Sequence, residues 1–207
     1  MGSRRPSSRN LKAVGPPPSD TRRRLLDLSD ALHPGIGRAK AIDELDRMFV
    51  AGSPPDPVPD GFHPGTLLAT FTWAPWDGVV ARIAHAWMPW QGKSFDAASS
   101  TGLNRFTGGA AERRVMRILW PGYRPVSRTA DRIEAFQFRN RLEPGALDPG
   151  VRVYKIDYDF AANPGFIIRR ILDELVQVED GLYLGKVLMR VGGRYRGIGF
   201  FMLERPA

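Results

Sequence analysis

Apolar positions along the chain change period twice. Leu25, Leu26, Leu28, Ala31 and Leu32 fall on one side of a helix that Ser19 or Asp20 caps, and His33-Pro34-Gly35-Ile36-Gly37 breaks it. Ile42, Leu45, Met48 and Phe49 repeat the pattern, so a second helix is expected from about Arg38 to Val50, with Gly52 as its stop. Ser53 to Gly65 holds five prolines and reads as an extended connector. Thr66 to Trp73 is dense in strand formers. Trp76, Val79, Val80, Ile83 and Trp87 return to helical spacing, which predicts a short inserted helix over 76–87. Trp90 to Asp96 reads as a turn feeding a strand, and residues 97 to 110 show little periodicity.

After that the period is two. Val115 to Trp120 and Arg132 to Leu142 are strand candidates, and Val151 to Asp159 alternates cleanly, with Arg152, Tyr154, Ile156 and Tyr158 on one face. Phe166 to Arg170 forms a helical turn. Strands follow over Ile171 to Val178, Leu182 to Arg190 and Tyr195 to Leu203, joined by Glu179-Asp180-Gly181 and Gly192-Gly193. Short turns without crossover helices imply antiparallel pairing. An open sheet of seven or eight strands leaves edges to pair with other chains, so closure is expected. The predicted fold class is mainly β (α+β overall): an antiparallel meander closing into a barrel that the helical hairpin plugs or caps. The expected organisation is a tail over 1–19, the hairpin over 20–52, the connector over 53–65 and the barrel over 66–207.

Composition narrows the chemistry. There is no cysteine, which excludes thiol nucleophiles and thiolate metal sites, and three histidines are too few for a multi-histidine cage; no metal and no cofactor is expected. The chain has no apolar run long enough to cross a bilayer and no secretory-type leader, so a cytoplasmic location is expected. Its net charge of +8 is concentrated at one end: residues 1 to 24 carry seven Arg and Lys against Asp20, leaving a nearly neutral body. Such a tail reads as a solvated segment rather than a binding groove.

Two resemblances attach to short motifs. Pro89-Trp90-Gln91-Gly92-Lys93 resembles the Gly-x-Trp-x-Gly signature near the first strand of calycin-like barrels, the lipocalin and fatty-acid-binding class; Trp90 and Gly92 agree, and Met88 stands where that signature has Gly. The resemblance implies a barrel holding a small apolar molecule and specifies no particular ligand. Pro34-Gly35-Ile36-Gly37-Arg38, between two helices, resembles the helix-hairpin-helix turn of non-specific DNA-binding proteins, with Ala41 at its small position and Glu44 where an apolar residue is usual. That likeness implies a phosphate held by the backbone of Gly35, Ile36 and Gly37, with Arg38 beside it.

The leading functional expectation is binding of a small hydrophobic molecule in the barrel. Trp73, Trp76, Trp87 and Trp90, four of five tryptophans within eighteen residues, together with Phe136, Phe138 and Tyr154, are its expected lining. Ordinary core packing is the competing reading of the same cluster. A second expectation is a cofactor-free enzyme, a cyclase or isomerase, in the same cavity. Among Lys93, Asp96, Tyr154, Asp157, Asp173, Glu174, Tyr183 and Lys186, alternation turns about half inward, and Lys93, Asp157, Glu174 and Tyr183 are the expected acid or base groups. Asp173 and Glu174, being adjacent, point to opposite faces. No nucleophile elbow, zinc-protease pair or phosphate-binding Gly-rich loop is present. DNA binding through the hairpin and tail is the third expectation.

Overall fold

The computed structural model describes residues 19–31, 37–70, 90–165 and 167–206. Two helices open it, α1 (Asp20–Ala31) and α2 (Arg38–Ala51). Ser19 caps α1, its Oγ accepting from the Arg22 amide at 3.2 Å. Nine strands follow: β1 (Gly61–Thr70), β2 (Trp90–Asp96), β3 (Thr101–Thr107), β4 (Ser127–Arg128), β5 (Arg132–Pro144), β6 (Arg152–Asp157), β7 (Ile171–Glu179), β8 (Leu182–Val191) and β9 (Arg194–Glu204), with a third helix, α3 (Ala110–Leu119), between β3 and β4.

Every pairing is antiparallel. The sheet runs β3-β2-β1-β9-β8-β7-β6-β5, and β3 pairs with β5, from Thr101 opposite Arg139 to Thr107 opposite Arg132, which closes an eight-stranded barrel. β4 adds two residues to β5 outside the ring. Closure leaves no long edge to template aggregation.

Alternation builds two cores. The interior is aromatic, with Trp90, Phe95, Phe106, Phe136, Phe138, Tyr154, Tyr158, Tyr183 and Phe201 all buried. A second cluster lies on the outer wall, where Leu25 of α1 and Leu45 and Phe49 of α2 pack on Leu68, Val153, Val176, Leu184, Phe200 and Met202. The hairpin therefore covers the barrel's side instead of plugging it. Burying those three helix side chains contributes roughly 1.5–3 kcal/mol each before ordering entropy is counted. Val153 of β6 joins this cluster and Lys155 is covered beside Glu143 and Glu174, where the alternation implied a wet side.

Four sequence expectations need correction. The connector ends at Asp60, because Pro64 is accommodated inside β1 at the last pair of its ladder with β2, opposite Gly92, where β2 bulges against β3. Trp90–Asp96 is itself a strand. Gly92, which suggested a turn, adopts φ +142° at that bulge, and a side chain there would strike the His63 carbonyl. Residues 101–107 form β3, whose alternation is masked because the inward positions are Gly102, Asn104 and Phe106. Val115–Trp120 belongs to helix α3, not to a strand: Met116, Leu119 and Trp120 meet the core at helical spacing, while the alanines, Glu112 and three arginines favour a helix. The inserted helix expected over 76–87 falls outside the described residues, as does the basic tail through residue 18. Among the described residues no helix is long and apolar enough to cross a membrane.

Candidate functional site

The barrel interior contains a polar centre that its apolar lining isolates from water. Lys93 of β2 faces inward, and the β2–β3 register sets it opposite Asn104. Asp173 of β7 and Tyr158, the residue after β6, reach the same point from across the ring. All four are buried, Lys93 and Asp173 completely.

Lys93 Nζ lies 2.8 Å from Asp173 Oδ2 and 3.0 Å from Asn104 Oδ1, and it also contacts the Tyr158 hydroxyl. Tyr158 donates to Asp173 Oδ2 at 3.0 Å and accepts from Asn104 Nδ2 at 3.0 Å. Trp90 Nε1 donates to Asn104 Oδ1 at 3.1 Å, and Asn104 Nδ2 also reaches the Phe136 carbonyl at 3.4 Å. The Phe136 carbonyl belongs to a kink: Phe136 has φ +56°, β3 and β5 lose register there, and its amide leaves the ladder to donate to the Tyr123 hydroxyl at 2.7 Å. One acceptor stays open: Asp173 Oδ1 is buried and has no partner among the described residues.

Rings enclose the ammonium. Lys93 Nζ stands 5.0 Å from the Phe201 ring centre, 5.1 Å from Tyr158, 5.4 Å from Trp90 and 5.5 Å from Phe138, within cation–π range. The far ends of three of these rings press against glycines of neighbouring strands, Trp90 on Gly65, Phe138 on Gly102 and Phe201 on Gly185. The bare glycine backbone brings bulky rings close enough to surround a lysine.

Burial lowers the Lys93 pKa from its ordinary value, and the Asp173 carboxylate opposes that shift. Tyr158 is pushed well above its ordinary value by burial first and the Asp173 charge second, so its hydroxyl keeps its proton and acts as a donor. The arrangement is a cation, a carboxylate and two neutral dipoles in a dry cage, able to orient a polar group or to pass a proton.

Of the expected acid–base groups, Lys93 is in this centre. Tyr183 faces the interior apart from the centre's four residues, its ring 5.7 Å from that of His63. Asp157 and Glu174 lie on the outer wall. Asp157 pairs there with Arg141 at 2.9 Å. Glu174 is buried under the 145–151 loop, Oε1 accepting from the Ala146 amide at 2.7 Å and Oε2 without a partner among the described residues; burial raises its pKa. Of the expected lining, Trp90 and Phe138 flank Lys93, and Phe136 packs on Trp120 with ring centres 4.8 Å apart. Tyr154 is interior and raised to about 12, chiefly by burial. Trp73, Trp76 and Trp87 lie outside the described residues. So do Gly35 and Ile36 of the hairpin turn; Gly37 precedes α2, and Arg38 donates to the Thr70 carbonyl at 3.2 Å.

Asn104, Tyr158 and Phe201 complete the centre without having been singled out. Tyr158 was signalled by the alternation it shares with Tyr154 and Ile156, and Asp173 by its place between Ile171 and Leu175. No protein-family model matches the chain, and no curated protein matches it. Among solved structures it is similar to a protein from Thermomonospora curvata, at 19% identity over 87% of this chain and 99% of that one, with a TM-score of 0.46.

Proposed function

We propose that the barrel binds a small, mainly apolar molecule carrying one hydrogen-bond donor, received by Asp173 in the polar centre. The observation that carries this reading is the open Asp173 Oδ1 in an otherwise satisfied network. A buried carboxylate oxygen without a donor costs free energy, and a ligand hydroxyl or N–H offsets that cost while the rings take its apolar body. The guest is compact, a single ring or a short branched chain, because Trp90, Phe138 and Phe201 already fill the space over their glycines. Native mass spectrometry of purified protein, followed by a thermal-shift panel of small phenols, alcohols and apolar amides, tests it. Retained or stabilising donors, with matched ethers inactive and the effect lost in Asp173→Asn, are expected. Equal responses to donors and ethers, or no response to any, would overturn it.

A second reading is favoured by the continuous contacts from Lys93 through Tyr158 to Asp173. On this reading Asp173 takes a proton from a bound carbon acid and returns it to a neighbouring atom, an isomerisation without cofactor, while Lys93 and Tyr158 stabilise the intermediate negative charge. Deuterium uptake from heavy water into a bound ligand, abolished in Asp173→Asn, separates this chemistry from binding alone.

A further inference from the structure

A different set of charges gathers outside the barrel interior, where α3 and β4 meet the start of β5. Arg113 and Arg117 stand one turn apart on α3, and Arg128 comes from β4; together they line a cavity of about 50 Å³ also bounded by Tyr123 and Ile133. The wall is fixed: Ile133 is fully buried, and Tyr123 stacks on Phe136 with ring centres 5.1 Å apart. Elsewhere Arg22, Arg141, Arg169 and Arg205 are each matched with a carboxylate. Among the described residues, the guanidinium groups of Arg113, Arg117 and Arg128 have no ion-pair or hydrogen-bond partner. Glu112, the sole acid of α3, lies instead against Gly109.

Like charges four apart on a helix repel, and a third guanidinium over the same cavity adds to that repulsion. A bound anion reverses the sign of the interaction. Guanidinium forks match the oxygens of an oxyanion bidentately, and a cavity with room for a few waters accepts one tetrahedral group. Three positive charges favour a dianion over a single carboxylate. We infer that Arg113, Arg117 and Arg128 form a binding pocket for a phosphomonoester group. That chemistry is shared by soluble phosphates and by a phosphatidic acid headgroup; Ile118 and Val126, 66% and 62% exposed beside the pocket residues in sequence, suit the lipid source.

The test uses the full chain at low ionic strength. Inorganic phosphate is titrated calorimetrically, and phosphatidylcholine vesicles with and without phosphatidic acid are assayed by co-sedimentation. Saturable binding at one site is expected in at least one arm. Arg117→Gln and Arg128→Gln should each weaken it roughly tenfold or more, the scale of one charge-assisted contact, while Arg152→Gln, an exposed arginine on β6, leaves it unchanged. Both pocket arginines sit on surface elements, and matched thermal melts establish that the variants are folded. Binding to phosphatidic acid vesicles alone, lost in Arg117→Gln, supports the pocket and assigns the lipid source; binding of inorganic phosphate, lost in the same variant, supports it and assigns the soluble one. No binding in either arm, or binding that Arg117→Gln and Arg128→Gln leave intact, overturns the inference.

Discussion

Removing one member of the Lys93–Asp173 pair should cost far more than removing both. Both side chains are fully buried and their charged atoms are 2.8 Å apart. At an effective dielectric near 20 the attraction at that separation is about 6 kcal/mol, and the desolvation of two ions, several kcal/mol each, offsets most or all of it. The pair therefore adds little net stability while it is intact. Asp173→Ala leaves an ammonium in a ring of aromatics without its carboxylate, and Lys93→Met leaves the carboxylate without its cation, Tyr158 still donating to it. Each is expected to lose about 3–5 kcal/mol, a large part of the 5–15 kcal/mol that holds most domains together. Lys93→Met with Asp173→Leu fills the same space with apolar groups, and Asn104, Trp90 and Tyr158 still satisfy one another. The double variant should fall within about 2 kcal/mol of the parent. Urea melts of all four proteins give the coupling energy, expected at about 4 kcal/mol or more. A coupling below about 1 kcal/mol would refute the reasoning, because it would mean that water or movement relieves each lone charge.

Three further substitutions test other parts of the structure. Glu174 has its carboxyl pKa raised by burial, so its ionisation above the ordinary value of 4.5 weakens the folded state as pH rises; Glu174→Gln should stabilise by about 1 kcal/mol at pH 7 and make little difference at pH 4, measured by thermal melts across that range. His63 is buried between Phe95 and Tyr183 and its pKa is lowered, mainly by desolvation, so the unfolded chain takes up a proton that the folded one resists. The stability present above pH 6.5 should drain away below it, and the difference between wild type and His63→Phe should show that slope; parallel curves would exclude His63 as its source. Gly185→Ala drives a methyl into the Phe201 ring, which packs against Trp90, and should cost about 1–3 kcal/mol in urea melts.

The barrel was legible because its later strands alternate and its turns are written in Gly and Asp. β7, β8 and β9 were placed nearly to their ends for that reason. What failed to read had a common cause, residues whose local meaning the closed sheet reverses. Gly92 suggested a turn and marks a bulge; Asn104 broke an alternation because its amide faces inward; Pro64 argued against a strand but sits at the last pair of the β1–β2 ladder, before β1 passes to β9. In α3 the apolar residues of Val115–Trp120 suggest a strand when taken alone, and the helix shows only when the alanines, Glu112 and arginines before them are read with the spacing of Met116, Leu119 and Trp120. Local pattern also could not assign the face of Glu174. It is half of an adjacent pair with Asp173, and the choice between interior and outer wall depends on registers with strands twelve or more residues away.

The composition of the polar centre bears on why it exists. A barrel of this size can be filled by Leu, Ile and Phe alone, and such a core is no less stable than one containing a matched ion pair. Lys93 and Asp173 are therefore poorly explained by stability. Specifying the barrel's register is one role that remains, but the Trp90–Asn104 and Asn104–Tyr158 hydrogen bonds already tie β2, β3 and the end of β6 together without any charge. The pair does something these cannot: it places a carboxyl group in the buried interior and leaves one of its oxygens open. If the Lys93→Met, Asp173→Leu protein is folded and stable yet has lost the response to donor ligands, the charges serve recognition. If it folds to a different oligomer or a fluctuating interior, they serve the fold, and the open oxygen belongs to a structural pair instead of a binding site.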